Sequence, residues 1–217
     1  MSPLVNWNVL CWNIRGMNSD PKLLALSNAI AASGCSVICL QETKKPIFDN
    51  SYIKTCFPKR FDKFAFIPSR GASGGIVTIW NSAIFSGTVL IEEEFALVTK
   101  FKSHQSSQEW TLVNIYGPCQ GETRVDYTTW LLNLHIPHNE DWLLVGDFNY
   151  IRSPNNRNKP GGNINDMITF NDIIRAQSLI ELPLKGRSYT WSNMQLDLLL
   201  DQLDCFFTSS NWTSSYP

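Results

Sequence analysis

The stretch LLVGDFNYI, residues 143–151, joins an apolar strand to a polar end. Three apolar residues run directly into Gly146, Asp147, Phe148 and Asn149. Residues that follow a rigid element often carry function, so we expect this strand to hold Asp147 and Asn149 in place for chemistry. The alternative is structural, because Gly, Asp and Asn are also favoured in the turn that ends a strand.

Three other predicted strands end in the same way. The polar residues at their ends are Asn13, then Gln41 and Glu42, then Asn114 and Tyr116. If these ends converge, they form a pocket of oxygen ligands and hydrogen-bond donors that suits Mg²⁺ better than zinc. Each also has a structural interpretation: a solvated acid for Glu42, an aromatic core residue for Tyr116, and an amide bonded to nearby backbone for Asn13.

The order of apolar and turn residues predicts an α/β (α+β) domain. Two sheets packed face to face with helices outside is the arrangement that best accommodates this many strands. Residues 63–116 read as a β-meander of five short strands. The other predicted elements are strands at 6–14, 36–40, 141–148 and 198–207, and helices at 20–34, 122–134 and 166–178.

Composition restricts the class of protein. The chain has 217 residues, with 18 Lys and Arg against 19 Asp and Glu, so any DNA binding must be local rather than a bulk electrostatic effect. No apolar run is long enough for a bilayer, and no secretory signal is visible, so we expect a nuclear or cytoplasmic protein without membrane contact. The six cysteines contain no CxxC pair, which favours reduced thiols over a zinc site or a disulfide framework.

Seven ordered motifs carry a family resemblance. WNIRG, QETK, GGI, NIYGP, GDFN, RSYTWSN and LDCFFTSSNW resemble, in order and spacing, the endonuclease/exonuclease/phosphatase superfamily. Within it, they look most like the apurinic-type endonuclease domain of plant non-LTR (LINE) retrotransposons. The resemblance covers essentially the whole chain. It implies a single domain over residues 1–217, a four-layered α/β/β/α sandwich of the DNase I-like type, and Mg²⁺-dependent phosphodiester hydrolysis, with Mn²⁺ as an alternative ion.

The resemblance also implies roles for individual residues. Glu42 would bind the metal with Asn13 beside it, and Tyr116 would support the phosphate or the leaving oxygen. Asp147 would orient and deprotonate the attacking water, while Asn149 would hold the scissile phosphate. Asp204 resembles the acid that elsewhere in the family orients a catalytic histidine.

The segment RSYTWSN resembles the loop of the family that contacts phosphate and DNA. Its candidate DNA-binding residues are Arg187, Ser188, Thr190 and Asn193, although a half-buried strand gives the same alternation. Arg157 lies in a loop rich in Gly, Pro and Asn after the GDFN strand, where it would either touch the DNA backbone or remain a solvated loop arginine. Gly74-Gly75 is expected to permit a bulge or close packing.

The pattern departs from the family at the C-terminal end. The family ends with a Ser-Asp-His segment and a final strand, whereas this sequence stops at NWTSSYP, and none of its three histidines replaces that motif. A C-terminally truncated piece of a longer reading frame and a decayed element are both compatible with this. Either predicts a fold without its last strand and weak or absent activity, because losing a group that acts on the transition state costs about two to four orders of magnitude in rate.

Two other positions differ from the family's usual residues. Gln202 and Cys205 flank Asp204 where basic residues are usual, which weakens a local DNA contact and supports the decayed-element interpretation. Arg15 replaces an acid found in the repair enzymes, which points to the retrotransposon branch.

Three functions follow from this comparison. The first is an endonuclease that nicks double-stranded DNA and leaves a 3′-hydroxyl for the reverse transcriptase domain of the same polyprotein. The second is a superfamily phosphatase that acts on small phosphoesters. The third is a catalytically dead fragment of a decayed retrotransposon.

Overall fold

The computed structural model describes residues 7–71 and 73–216. The chain divides into two compact units, an N-terminal unit, Met1–Tyr116, and a C-terminal unit, Gly117–Pro217.

The helices are α1 (Asp20–Ser33), α2 (Asn50–Cys56), α3 (Thr123–Asn133), α4 (Ile164–Ala176) and α5 (Trp212–Ser215), with a short 3₁₀ helix at Pro154–Asn156. The strands are β1 (Val9–Asn13), β2 (Val37–Gln41), β3 (Lys63–Ile67), β4 (Ile76–Trp80), β5 (Phe85–Glu93), β6 (Ala96–Ser103), β7 (Glu109–Tyr116), β8 (Trp142–Asp147), β9 (Ile180–Glu181), β10 (Trp191–Ser192), β11 (Leu200–Asp201) and β12 (Asp204–Thr208).

Helix α1 begins and ends where its sequence predicts. Pro21 lies in its first turn, where its missing N–H costs no hydrogen bond. Gly34 ends the helix with φ 59°, in the left-handed region that glycine adopts without a steric penalty. Leu26 and Ile30, four residues apart on one face, are fully buried. Capping residues and the apolar stripe therefore determine this helix together.

The first sheet of the N-terminal unit has the strand order β1-β2-β4-β3. Strands β1 and β2 are parallel, with Asn13 opposite Gln41, while β4 pairs antiparallel with both β2 and β3. All five residues of β2 and all five of β4 are buried, as expected for interior strands that are apolar on both faces. The parallel pairing brings the polar ends of β1 and β2 to the same edge.

The predicted meander over residues 63–116 is wrong for its first two strands. Strands β3 and β4 pair with each other but belong to the first sheet, while β5, β6 and β7 form an antiparallel run in another sheet, so the meander is broken between β4 and β5. The physical reason is burial: β4 is apolar on both faces and fits between two strands, whereas β5 alternates buried or half-buried with exposed residues along most of its length. Sequence proximity suggested a meander, but burial placed β4 elsewhere.

A buried amide cluster links β2, β4 and β7 within the N-terminal unit. The Gln41 side-chain N–H donates to Asn114 Oδ1 at 2.6 Å, and Asn114 Nδ2 donates to Val77 O at 3.0 Å and Thr78 Oγ1 at 3.1 Å. Gln41, Thr78 and Asn114 are fully buried. Because buried amides are costly without partners, this cluster fixes how the strands pack.

The C-terminal unit contains the strand order β8-β12-β9, the small antiparallel pair β10-β11, and helices α3 and α4, which contact each other. The single strand predicted at 198–207 is wrong, because the structure divides it into β11 and β12. Gln202 separates them, and its N–H donates to Asn156 O at 2.8 Å instead of to a strand. Strand β11, in the first half of the segment, pairs with β10, and strand β12, in the second half, pairs with β8 and β9.

Several short elements escaped prediction, among them helix α2, helix α5 and strand β9. Helix α2 has seven residues and is capped by Asp49, whose carboxylate accepts the Tyr52 N–H at 2.7 Å. None of the described helices is both long and apolar enough to cross a bilayer.

We expect Asn114→Ala to lower the free energy of unfolding by about 2–3 kcal/mol, because it leaves the Gln41 amide and the Val77 carbonyl buried without their partner. Urea unfolding followed by tryptophan fluorescence measures this. Asn28→Ala, the same chemical change on the exposed face of α1, is the control and should alter stability little. Equal stability of the two variants would contradict the structural role of the cluster.

Candidate active site

The N-terminal unit brings Asn13 and Glu42 to neighbouring strand ends. Asn13 is the last residue of β1, opposite Gln41, and Glu42 follows β2 directly. The Gly16 N–H donates to Glu42 O at 2.7 Å, so the loops after the two strands are tied together. Asn13 Oδ1 accepts the Arg15 N–H at 3.1 Å, which confirms that this amide bonds nearby backbone without excluding a role in the site.

The QETK loop is held in a strained conformation. Glu42 and Lys44 have φ 52° and 54°, in the left-handed region that bulky side chains rarely adopt. The N–H groups of Thr43 and Lys44 donate to Gly75 O and Gly74 O at 3.0 and 3.1 Å. A Cβ on Gly75 would lie 2.3 Å from Thr43 Oγ1, whereas one on Gly74 would meet no atom within 4 Å, so the predicted close packing is confirmed at Gly75 only.

Lys44 pairs with Glu42. The Lys44 Nζ lies 3.0 Å from Glu42 Oε1, and the Glu42 side chain is 19% exposed. Lys44 belongs to the QETK motif but had no predicted role. The sequence contained a hint of this ion pair, because a lysine two residues after a strand-end acid has a side chain long and flexible enough to reach that acid.

Tyr116 and Asn114 have different environments, since Tyr116 is partly exposed and Asn114 is buried in the core. Tyr116 ends β7 and is half-buried, and its N–H donates to Phe95 O at 2.9 Å. Asn114, two residues earlier, points into the amide cluster instead. The polar end of β7 therefore contributes Tyr116 to the surface and Asn114 to packing.

The C-terminal unit places Asp147, Asn149 and Asp204 together. Asp147 and Asp204 are directly opposite in the antiparallel pairing of β8 and β12. Asp147 is only 3% exposed, and its Oδ1 accepts the Asn149 N–H at 3.0 Å. The Phe148 N–H donates to Leu203 O at 3.0 Å, which continues the pairing past the end of β8.

Asn149 adopts φ 54°, a left-handed conformation that asparagine tolerates better than most residues. Its Nδ2 donates to Gly117 O at 2.6 Å, and the Gly117 N–H in turn donates to Asp147 O at 2.8 Å. A Cβ on Gly117 would lie 2.5 Å from Phe148 O and 3.0 Å from Tyr127 Cζ. This glycine therefore lets the loop after β7 approach the GDFN turn closely.

Burial and a nearby negative charge both change the pKa of Tyr127, a neighbour of Asp147. Burial, followed by the negative charge of Asp147, raises the pKa of Tyr127 well above its ordinary value. Tyr127 therefore stays neutral beside the carboxylate at any physiological pH. Burial likewise raises the pKa of the Cys205 thiol, next to Asp204, so this cysteine is a poor nucleophile.

The predicted DNA-binding residues fall into two groups. Arg187 and Ser188 are exposed. Thr190 Oγ1 instead accepts the N–H groups of Leu203 and Asp204 at 3.1 and 3.0 Å, so it positions Asp204.

Asn193 and Arg157 also support local structure. Asn193 Oδ1 accepts the Leu199 N–H at 3.0 Å and closes the loop between β10 and β11. Arg157 makes a two-pronged ion pair with Asp201, at 2.8 and 2.9 Å, and is not a free solvated arginine. Contact with DNA stays a prediction for all five residues.

Arg124 is a partly buried residue next to the site that sequence reasoning missed. It lies in the first turn of α3 and donates to Asn149 O at 3.2 Å. The sequence offered one indication of a special role. A cation near a helix N-terminus interacts unfavourably with the helix dipole, so other contacts must offset that cost.

The oxygen donors near Glu42 are compatible with Mg²⁺. Within residues 7–71 and 73–216, no three His, Cys, Asp or Glu side chains form a cluster that could hold a metal. Mg²⁺ does not require one, since it commonly binds one or two carboxylates and keeps waters and substrate phosphate oxygens as its other ligands. Glu42, half-buried and one position beyond the register partner of Asn13, fits that pattern.

Comparison with known proteins identifies the family. A model of the endonuclease/exonuclease/phosphatase family matches residues 10–215. The chain belongs to this family. No curated protein matches the sequence.

Solved structures share the fold at low identity. An AP endonuclease (LMAP) from Leishmania major is 19% identical, with TM-score 0.72 over 96% of this chain and 80% of that one. The endonuclease domain of TRAS1, a telomere-specific non-LTR retrotransposon, is 12% identical, with TM-score 0.69 over 96% and 88%. A mannosyl-6-phosphatase, Bt3783, from Bacteroides thetaiotaomicron is 13% identical, with TM-score 0.58 over 94% and 86%. The predicted α/β fold of the DNase I-like type is confirmed.

We expect Gly117→Ala to destabilise the protein by about 1–3 kcal/mol, because the added methyl group overlaps the Phe148 carbonyl and the Tyr127 ring. Thermal unfolding measures the effect. Cys119→Ala, at an exposed position two residues later, is the control and should unfold as the wild type does. An unchanged melting temperature for Gly117→Ala would show that the loop does not approach the GDFN turn as described.

Proposed function

We propose that this family member is a Mg²⁺-dependent endonuclease that nicks double-stranded DNA, as the endonuclease domain of a LINE-type retrotransposon related to those of plants. The nick would leave a 3′-hydroxyl for a reverse transcriptase domain of the same polyprotein, which implies work in the nucleus. The observation that carries the proposal is the locked pair Asp147–Asn149, where a buried carboxylate and an amide are fixed side by side at a strand end.

The chemistry of the pair fits phosphodiester hydrolysis. Water attacks a phosphodiester slowly because the phosphate is anionic, so a positioned base and neutral donors to the phosphate oxygens both help. Asp147 can accept the proton of an attacking water. Asn149 can donate an N–H to a non-bridging oxygen without adding negative charge. Tyr116 supplies a phenolic O–H for the phosphate or the leaving oxygen.

Asp204 and Thr190 would act behind this pair. Asp204 lies opposite Asp147 in the strand pairing and is fixed by the Thr190 hydroxyl. Two carboxylates that share a strand pairing favour a bound cation or a protonated partner nearby. The family resemblance makes Asp204 the counterpart of an acid that orients a catalytic histidine; because none of the three histidines of this sequence lies in an equivalent motif, the role we propose for Asp204 here is to support Asp147.

A metal ion would be held by Glu42 with Asn13. When bound, Mg²⁺ neutralises charge on the phosphate and the leaving oxygen. The protein holds Glu42 at the end of β2 through two backbone hydrogen bonds. The Gly16 N–H donates to Glu42 O, and the N–H of the next residue, Thr43, donates to Gly75 O. Mn²⁺ could replace Mg²⁺, because both prefer oxygen ligands.

DNA contact would be local, as the net charge of −1 requires. Arg187 and Ser188 are exposed and available to phosphates, while Thr190, Asn193 and Arg157 shape the loops beside them. A phosphatase for small phosphoesters is the second candidate, supported by the shared fold with the mannosyl-6-phosphatase. The motif RSYTWSN followed by LD…S…W favours the nucleic-acid branch over the phosphatase.

The decisive experiment is nicking of supercoiled plasmid by this chain in Mg²⁺, beside EDTA and the variants Asp147→Asn and Asn149→Ala. We expect slow Mg²⁺-dependent nicking that Asp147→Asn abolishes, and that Asn149→Ala reduces by about 10²–10³-fold. Asn165→Ala, a change of the same kind at an exposed position, is the control.

Competing substrates separate the candidates. Hydrolysis of p-nitrophenyl phosphate or a sugar phosphate without plasmid nicking would replace the endonuclease with the phosphatase. Absence of both activities, together with no binding of duplex DNA in a filter assay, would overturn the proposal and favour the catalytically dead fragment.

Metal binding provides a separate test of Glu42. We expect Lys44→Met to raise Mn²⁺ affinity about two- to fivefold, because a partly exposed ion pair worth up to ~1 kcal/mol no longer competes for the Glu42 carboxylate. Titration followed by Mn²⁺ electron paramagnetic resonance measures it. Lys45→Met is the matched control, since Lys45 lies 4.3 Å from the Tyr52 ring centroid instead of pairing with Glu42. Equal affinities in both variants would argue against Glu42 as the ligand.

A further inference from the structure

The guanidinium of Arg124 joins three segments of the C-terminal unit. Its Nη1 donates to the carbonyl oxygens of Pro118 and Cys119, both at 3.1 Å, and of Asn149, at 3.2 Å. Its Nη2 donates to Asp166 Oδ2 on α4 at 2.8 Å. The side chain is 19% exposed. We infer that Arg124 is a positioning residue that sets the orientation of the Asn149 side chain.

The first line of argument follows the acceptor of the Asn149 amide. Asn149 Nδ2 donates to Gly117 O, so the direction of the amide depends on where that carbonyl lies. Arg124 binds the next two carbonyls of the same loop, those of Pro118 and Cys119. Fixing these carbonyls fixes the peptide unit that holds the Asn149 amide.

The second line of argument concerns the backbone of Asn149 itself. Its left-handed φ of 54° carries a strain that surrounding contacts must offset. Arg124 bonds its carbonyl directly, and the guanidinium carbon lies 3.9 Å from the ring centroid of the next residue, Tyr150. Arg124 therefore holds both ends of the Asn149 hydrogen bond, the donor residue and the acceptor loop.

The geometry requires an arginine. Three carbonyls, a carboxylate and an aromatic face are contacted by one planar group, which the compact ammonium of lysine cannot reproduce. The Asp166 carboxylate compensates the charge, and its pairing extends the support to the first turn of α4. A positive charge in the first turn of α3 interacts unfavourably with the helix dipole, so contacts outside the helix must offset that cost.

The consequence for the site rests on the proposed function. An asparagine amide has two N–H donors, and Gly117 O takes one. Once that bond is fixed, the direction of the second N–H is fixed as well. Arg124 would thereby aim a donor at the phosphate without touching the substrate.

The test is the side-chain amide signal of Asn149 in ¹⁵N-labelled protein, assigned from its absence in Asn149→Asp. We expect Arg124→Lys to shift the two amide protons toward the values of an exposed asparagine, as the bond to Gly117 O is lost. Arg152→Lys is the matched control. Arg152 also pairs with an acid, Glu181, and lies near an aromatic ring, that of Phe207, but it does not contact the GDFN turn.

Unmoved Asn149 signals in Arg124→Lys would overturn the inference. Equal shifts in both arginine variants would also overturn it, since they would indicate general loosening. If Arg124→Lys does not fold, Asp166→Asn decides, because it removes only the ion pair. We expect a smaller shift in the same direction from it, and its absence counts against Arg124.

Kinetics distinguish this inference from the proposed function. With an active wild type, Arg124→Lys should lower kcat by about 10²-fold with KM for DNA nearly unchanged, as expected for a misplaced donor. A wild type that does not nick DNA refutes the proposed function only. The amide signal still decides whether Arg124 positions Asn149.

Discussion

A carboxylate that is almost wholly buried must be hydrogen-bonded, and Asp147 imposes that requirement on the loops around it. Its Oδ1 is bonded by the Asn149 N–H, which requires the turn after β8 to pass through a left-handed residue. The turn can close only because Gly117 has no side chain to meet the Phe148 carbonyl. The cost of an unpartnered buried charge is several kcal/mol, so these local features serve one need.

The N-terminal unit meets the same need with neutral groups. Gln41 and Asn114 satisfy each other inside the core, which leaves the polar residues one or two positions further on, Glu42 and Tyr116, at the surface. At the ends of β2 and β7, one amide thus serves packing, and the polar residue beyond it is partly exposed. Some acids outside the core pair with a cation, as Glu42 does with Lys44 and Asp166 with Arg124. This pairing explains how a chain of nearly zero net charge can present local charges without a strong overall field.

Local signals predicted the elements that depend on neighbouring residues. Pro21 and Gly34 delimit α1, and the apolar run before Asp147 became a fully buried strand. Prediction was less successful where a distant partner decides. Strand β4 was placed in a meander, and the segment 198–207 was read as one strand, because pairing with β2 or with β8 leaves no trace in the segment itself. Helix α2 and strand β9 are too short for periodicity to register.

The residue types at the strand ends can be read from the sequence, and its ordered motifs pointed to the family that residues 10–215 match. What each polar residue does depends on its partners in the folded chain. Asn114 and Gln41 became core partners, Thr190 and Arg157 became supports for loops, and Arg124 became the support of Asn149. A motif records the chemistry of a side chain, whereas its hydrogen-bond partners can lie far along the chain, 14 positions away for Thr190 and Asp204 and 73 for Gln41 and Asn114. Those partners exist only after the chain has folded.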